Sequence, residues 1–450
     1  MSHVTTPSLV EAALIDRVSA DDLMSLAGDQ GSVPTQLGTL LVLETGADGA
    51  ARVREALADR VQRIPRLRQR LTTLPFGQGR PIWVDDAAFD IDQHVKVMPS
   101  TGGGMRGALD LAATLITYRL PASRPLWSAT IVPDIEPGRA ALIVVLHHVL
   151  ADGIAGMQLM RELLSPKPSP TSITFPLGSP TPTALHRDWV RGWRTSIAAL
   201  PATAQRLASG IVEIRPGLAH RLDPTSLLRP TSARRRFVTL SSNLADWRSA
   251  AELHDVTIND VLLAVVGGSL EGLLRARGET PTGFTLSVPF SSRMVAGAGS
   301  SGNASGVMLL RIPGRGDLAS RLRTIASVTR SAKLRRRAAS TALLGPAFRA
   351  LARLGLFGAF IGSQRSIHTI VSNVRGAKAA LNLDGMAVVD LIPLSVVAGN
   401  ITVSFVAASY AGRFTITVVA DPETCPDLDE FTSLLTTNIH AAAGAIPQVS

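Results

Sequence analysis

The chain is predicted to fold as two α/β domains set side by side, and three observations carry that prediction. Its 450 residues exceed what one ordinary hydrophobic core organises. Helical and strand periodicities alternate in both halves, over similar lengths and without a sequence repeat. Between the halves lie Pro166, Pro168, Pro170, Pro176, Pro180 and Pro182, a stretch that no single regular element accommodates. The expected division is a first half over residues 1–165, a crossover linker over 166–235 and a second half over 236–450.

In the first half, Gln36–Leu43 reads as a strand, and Ala50–Ile64 sets Val53, Leu57 and Val61 on one helical face. The aliphatic run Ala141–Leu146 has strand length, and a helix through Met157, Met160 and Leu164 follows it. The linker carries a helix near Trp189–Leu207. The second half opens on the strand Arg236–Leu240, followed by a helix over Ile258–Leu274 with Val261, Ala264, Val265 and Leu273. Strands are expected at Phe284–Val288, Val307–Ile312, His368–Val371, Ile401–Val406 and Phe414–Val419.

With 46% hydrophobic and 18% charged residues, the chain is not a disordered one. A single cysteine, Cys425, excludes an internal disulfide framework and fits a reducing compartment. Its turn-like setting, Glu423-Thr424-Cys425-Pro426, reads as a surface or half-buried thiol rather than a nucleophile. Glu11, Asp16, Asp21 and Asp22 interrupt any signal-peptide core. Leu391–Gly412 lacks charge, but Pro393, Gly399, Asn400 and the alternation from Ile401 to Phe405 make it a turn and a strand rather than a membrane helix.

Arginine supplies 41 of the 45 basic residues. Leu318–Leu383 holds twelve Lys or Arg and no acid, a local +12 against +10 for the whole chain. Nucleic acid is a poor match, because aromatics are only 4% and no binding module appears. Ala342–Gly362 mixes Leu, Phe, Ile and Gly with Arg349 and Arg353, which points to an anionic lipid surface or an acidic, greasy ligand. A solvated basic helix face is the competing reading.

The most informative stretch is His147-His148-Val149-Leu150-Ala151-Asp152-Gly153, where the aliphatic run ends. Histidine titrates near working pH, so imidazoles at the mouth of a buried strand suggest a general base. A carboxylate and a glycine a few residues on can fix the turn. Metal ligation is disfavoured, because adjacent residues on extended backbone point to opposite sides and further ligands are missing nearby. For the same reason only one ring faces a cleft, and His148 is the better choice. Satisfied core histidines are the third reading, the usual fate of a lone one, and a pair followed by Asp and Gly at fixed spacing weakens it. Gly297–Gly302 matches GxGxxG but precedes a strand rather than a helix, so it is no dinucleotide fingerprint. No GxSxG elbow occurs either.

HHVLADG resembles the HHxxxDG signature of CoA-dependent acyltransferases, the superfamily of chloramphenicol acetyltransferase and nonribosomal condensation domains. The rest of the chain resembles one branch, the bacterial wax ester synthase/diacylglycerol acyltransferase family. The matching blocks are Ser19–Asp22, Ile64–Arg70, Pro75–Val84, Ser123-Arg124-Pro125-Leu126-Trp127, Thr257–Leu262, Ser372-Asn373-Val374 and Ser409–Gly412. Arg375-Gly376-Ala377 departs from the family's proline-glycine-proline turn, which is expected to loosen that loop and add charge.

The resemblance implies two chloramphenicol-acetyltransferase-like domains with an active-site tunnel at their interface, and acyl transfer from acyl-CoA to an alcohol. His148 is then the general base, with His147 in support. Asp152 braces the loop, with Arg293 a candidate partner, and Gly153 leaves room for pantetheine or acyl chain. Asn259 is a candidate oxyanion donor, against the alternative of a helix cap. Trp127 is a candidate lining of the acyl tunnel, against plain core. Asp260 reads better as a brace than as a substrate contact, and Asp29 falls where the family carries an acid near the centre. No cofactor beyond acyl-CoA as co-substrate, and no metal, is expected. The expected acceptor is diacylglycerol or a long-chain alcohol. The expected location is cytoplasmic, peripheral to the inner face of an anionic membrane or to lipid droplets. Acylation of another alcohol, condensation on a carrier-bound acyl group, and a non-catalytic lipid-binding paralogue remain alternatives.

Overall fold

The computed structural model describes residues 15–29, 31–46, 49–100, 102–151, 153–164, 175–198, 225–291, 305–334, 351, 354–396 and 399–450. In chain order its first part contains α1 (Ala20–Gly28), β1 (Gln36–Glu44), α2 (Gly49–Gln62), β2 (Gln69–Thr72), β3 (Ile82–Asp85), β4 (Val95–Val97), α3 (Gly104–Thr117), β5 (Trp127–Glu136), β6 (Arg139–His147), α4 (Gly153–Leu163) and α5 (Pro182–Ala198). The remainder contains β7 (Arg236–Asn243), α6 (Leu244–Leu253), α7 (Ile258–Ala276), β8 (Gly283–Ser291), β9 (Ser305–Pro313), α8 (Leu318–Leu334), α9 (Phe357–Gly362), β10 (Thr369–Arg375), β11 (Asn382–Leu383), β12 (Met386–Ser395), β13 (Val403–Tyr410), β14 (Arg413–Ala420), α10 (Leu428–Ala443) and β15 (Gln448–Val449).

Two large sheets organise these elements, one of six strands in the order β11-β12-β1-β6-β5-β4 and one of seven in the order β15-β7-β14-β13-β10-β8-β9. β6 shows why the first sheet forms. Leu142, Val144 and Leu146 join one apolar cluster with Val53, Leu57 and Val61 of α2. Ala141, Ile143 and Val145 join another with Ala108, Leu109 and Ala112 of α3. A strand apolar on both faces must be covered on both, and its alternating side chains hold the two helices apart. The second sheet is covered by α7, whose length is almost wholly buried beside α8 and α10.

The expected boundary at residue 236 does not separate the sheets. β11 and β12 leave the second half and enter the first sheet, where β12 pairs antiparallel with β1 from Leu37↔Ser395 to Leu43↔Val388. Tyr410 fastens this crossover: its hydroxyl donates to the Val388 carbonyl (2.9 Å) and accepts the Leu381 N–H (2.8 Å). Ala411 and Gly412, at φ of 45° and 85°, make the two-residue turn from β13 to β14.

The other elements follow the sequence pattern with shifted ends. The linker helix begins at Pro182, seven residues before the expected start, because proline suits the first helical turn. Cys425 is fully buried rather than half-exposed. Burial pushes its thiol up to about 12, with Arg277 (3.5 Å) opposing and Asp427 (3.5 Å) reinforcing that shift. The acid-free run around α8 is partly neutralised by acids from elsewhere, since Glu271 of α7 binds Arg321 (2.5 Å). Among the described residues no single helix is long and apolar enough to cross a membrane.

Candidate active site

β6 ends at the double histidine, and the pleat sends the two rings apart. His147 turns inward and is 4% exposed. Its Nδ1 accepts the Val149 N–H (3.0 Å), which leaves Nε2–H to donate to Asp29 Oδ2 (3.2 Å). Both nitrogens are thereby committed to the turn. His148 turns the other way and is half-buried. Its backbone N–H donates to Thr35 O (3.0 Å), and its Nδ1 lies 3.4 Å from Ser25 Oγ on α1.

Asp29 closes the turn from the end of α1. It accepts the Thr35 N–H (2.9 Å) at Oδ1 and the Arg119 guanidinium at Oδ2, and Arg119 also reaches the carbonyl of Gly31 (2.9 Å). Burial alone raises the Asp29 carboxyl, but the bonds from His147 and Thr35 and the Arg119 charge outweigh it and hold the group below its ordinary range.

Across the turn stands the second half. A Cβ on Gly153 would touch Val374 Cγ2 at 3.4 Å, so the HHxxxDG turn abuts the end of β10. The preceding residue, Asn373, donates from Nδ2 to Asn259 Oδ1 (3.5 Å) at the start of α7. Thr257 and Asp260 form the capping box of that helix, so Asn259 is not its cap. Neighbouring groups thus lead from the histidine turn past Val374 and Asn373 to Asn259.

The loop after β10 is pinned rather than loosened. The Gly376 N–H donates to Ser409 O (2.9 Å), and the Ala411 N–H donates to Ala377 O (3.0 Å). A Cβ on Gly376 would lie 2.2 Å from Ser409 O, so this close approach requires glycine.

Other expected residues sit elsewhere. Trp127 is 3% exposed, stacks on His94 at 4.6 Å and donates Nε1–H to Leu67 O (2.7 Å), a position in the core of the first half. Asp260 is a brace: besides the cap, its Oδ1 accepts the Thr329 hydroxyl (2.8 Å). Asp152, Arg293 and the Gly297–Gly302 loop lie outside the described residues. Ser25, Thr35 and Arg119 were not singled out from the sequence, and they carry no local signal because each meets its partner only through the tertiary fold. Asn373 was visible only inside a family block.

Two surface cavities, of 540 Å³ beside Arg106 and Asp429 and 270 Å³ beside Thr45 and Asp134, touch none of these residues.

Comparison with known proteins decides the family. A model of the wax ester synthase/diacylglycerol acyltransferase catalytic domain matches residues 18–262, and its C-terminal domain matches residues 301–441. The chain belongs to that family. A Mycobacterium tuberculosis relative named "probable diacylglycerol O-acyltransferase tgs1" is 30% identical over 448 residues, covering 95% of this chain and 92% of its own. The O-acyltransferase WSD of Acinetobacter baylyi is 25% identical over 389 residues, covering 81% and 83%. Among solved structures, the wax ester synthase/diacylglycerol acyltransferase of Marinobacter aquaeolei VT8 superposes with a TM-score of 0.68 at 22% identity, covering 95% of this chain and all of that one. A starter condensation domain of rhizomide synthetase, solved with C8-CoA, gives 0.62 at 16% identity, covering 96% of each chain. These two share the fold, and the chain is an acyltransferase of the wax ester synthase/diacylglycerol acyltransferase class.

Proposed function

We propose that this acyltransferase moves a fatty acyl group from acyl-CoA to the free hydroxyl of diacylglycerol, giving triacylglycerol and CoA, with His148 as general base. The observation that carries the assignment is the unequal mounting of the two histidines. Both ring nitrogens of His147 are committed behind the turn, to the Val149 N–H and to Asp29, whereas the half-buried His148 ring turns to the other side, with Nδ1 3.4 Å from Ser25 Oγ. With Nδ1–H donating to Ser25, Nε2 is the nitrogen to which we assign the acceptor's proton. The 3.4 Å separation is loose, as catalytic hydrogen bonds often are before substrate binds.

The alcohol oxygen then attacks the thioester carbonyl, the carbonyl oxygen becomes an oxyanion, and collapse expels CoA thiolate, which takes back the proton from His148. The side-chain amide of Asn259 is the donor for that oxyanion, and Asn373, whose Nδ2 donates to the Asn259 Oδ1, aims it. The Asn259 Nδ2 is a neutral donor, able to stabilise the charge without competing for the proton. The tgs1 relative's name supports diacylglycerol as acceptor, and the C8-CoA bound to the condensation domain supports an acyl-CoA donor. The two halves act together, one supplying the base and the other the donor. A water-insoluble acceptor also calls for peripheral contact with a membrane or lipid-droplet surface.

The test is CoA release from palmitoyl-CoA with diolein, beside hexadecanol and beside His148→Ala. Turnover with diolein falling about 10²–10⁴-fold in the folded variant is expected. Turnover with hexadecanol alone would replace triacylglycerol by wax ester. An unchanged rate in His148→Ala would remove the base assignment.

A further inference from the structure

We propose that the exposed half of α5, together with the tip of the β2–β3 loop, is a docking surface for an anionic phospholipid interface. The proposal rests on the water-insoluble acceptor above for its purpose, but on different residues for its geometry.

The first turns of α5 are fastened to the molecule. Leu185 is buried against Ile82 and Val84. Arg17 binds Asp188 (2.5 Å) and the Leu185 carbonyl (3.1 Å), and His186 Nδ1 is bonded to the Gly77 carbonyl (3.1 Å). Beyond Val190 the helix leaves its support: Arg191, Gly192, Trp193, Arg194, Thr195 and Ile197 are all exposed. Trp193 is 59% and Ile197 42% exposed, and Phe76, one residue before the carbonyl that His186 binds, is fully exposed.

Helical spacing arranges these residues. Trp189, Trp193 and Ile197 recur every four positions and form one stripe, which the fold covers only at its Trp189 end. Arg187 and Arg194 flank the stripe on one side, with Arg191 beyond them. The one acid of this helix, Asp188, is already paired with Arg17, so the open face carries cations alone.

A bare tryptophan, phenylalanine and isoleucine edged by arginines is the composition that sits at a lipid–water boundary. The rings bury apolar surface among acyl chains while the guanidinium groups meet phosphate. A neutral apolar partner would leave the arginines without a counter-charge. The surface is also joined to the chemistry: Arg17, which anchors α5, opens the segment leading into α1 with Ser25 and Asp29. This is not the basic run 318–383 to which composition points. There Arg321 is neutralised by Glu271, and Arg335, Arg336 and Arg337 lie outside the described residues.

The experiment is flotation of the full chain with phosphatidylcholine vesicles, with and without phosphatidylglycerol. It is run beside Phe76→Ser/Trp193→Glu/Ile197→Glu and beside Arg187→Gln/Arg191→Gln/Arg194→Gln. The apolar variant is expected to lose binding at least tenfold on both vesicles. The arginine variant should lose on the order of 10²-fold on anionic vesicles only, with the difference shrinking at high salt. All three proteins should release CoA equally from palmitoyl-CoA with detergent-dispersed diolein. Parental flotation by both variants, or none by the parent, overturns the proposal. So does a dimer in gel filtration that the apolar variant converts to monomer without changing flotation, which would make the surface a contact between copies. Lost flotation with no diolein turnover in any protein would support the surface and remove the acceptor instead.

Discussion

The two walls of the site are mounted differently. On the histidine wall the described backing of the turn is held by charges and backbone bonds, His147 by Val149 and Asp29, Asp29 by Thr35 and Arg119, and the His148 backbone by Thr35, while the His148 ring itself meets Ser25 at 3.4 Å. On the asparagine wall, Asn259 and Asn373 meet through one neutral contact at 3.5 Å. A general base, the role proposed for His148, must be delivered in one direction, which a stiff turn behind it favours. An oxyanion donor serves an atom that moves as a flat carbonyl becomes tetrahedral, so its mount tolerates slack.

That contrast predicts different failures on the two sides. After His148→Ala, the largest effect is expected from Asn259→Ala, a fall in kcat of about 10²–10³-fold, the usual cost of one oxyanion donor. Asn373→Ala should cost less, on the order of 10-fold, if its main part is to aim Asn259. The double variant should then be no worse than Asn259→Ala alone. A double variant whose loss is the product of the two would show two independent donors and end the picture of a loose pair.

On the stiff wall the expected loss is in stability. Asp29→Asn keeps an acceptor for Thr35 but gives up the charge shared by His147 and Arg119, worth about 1–3 kcal/mol. The sign with pH follows from the depressed carboxyl. Its contribution is present above the unfolded value of about 3.9 and is lost as pH falls through the lower folded value. Thermal melts should therefore show a constant gap between parent and variant from neutral pH down to about 5, closing below about 4. A gap that widened in acid would mean the carboxyl is not held ionised by its partners.

How much of this was legible in the sequence depended on distance along the chain. HHVLADG was conspicuous because the two histidines, the turn and the helix start lie within seven consecutive residues. The core strands were legible because burial on two faces writes itself as an unbroken aliphatic run. The crossover of β12 was not, since Met386–Ser395 reads as an ordinary strand and nothing local says that its partner is β1, more than 300 residues earlier. Tyr410 was visible inside a motif, yet its bond to Val388 appears only once that strand is in place. Ser25 meets His148 across 123 positions and Asn373 meets Asn259 across 114, and no periodicity reports such pairs. Trp127 shows the converse: beside Pro125 the sequence left both tunnel and core open, and the satisfied indole N–H is what speaks for core.

The smallest expected effect sits where the walls touch. Among the described residues a methyl on Gly153 would meet Val374 Cγ2 alone, at 3.4 Å, an ordinary contact distance. Protein packing therefore does not demand glycine here, and Gly153→Ala should leave the melting temperature unchanged or raise it slightly, since the unfolded chain loses freedom. If the space between the walls is where pantetheine or the acyl chain passes, the same methyl should raise KM for palmitoyl-CoA a few-fold while kcat stays near the parent's, because neither base nor oxyanion donor has moved. A lower melting temperature would instead mean that the walls pack more tightly than this contact allows. Unchanged KM and unchanged stability together would place the acyl donor's path away from the turn, and only the asparagine side would then remain to guide it.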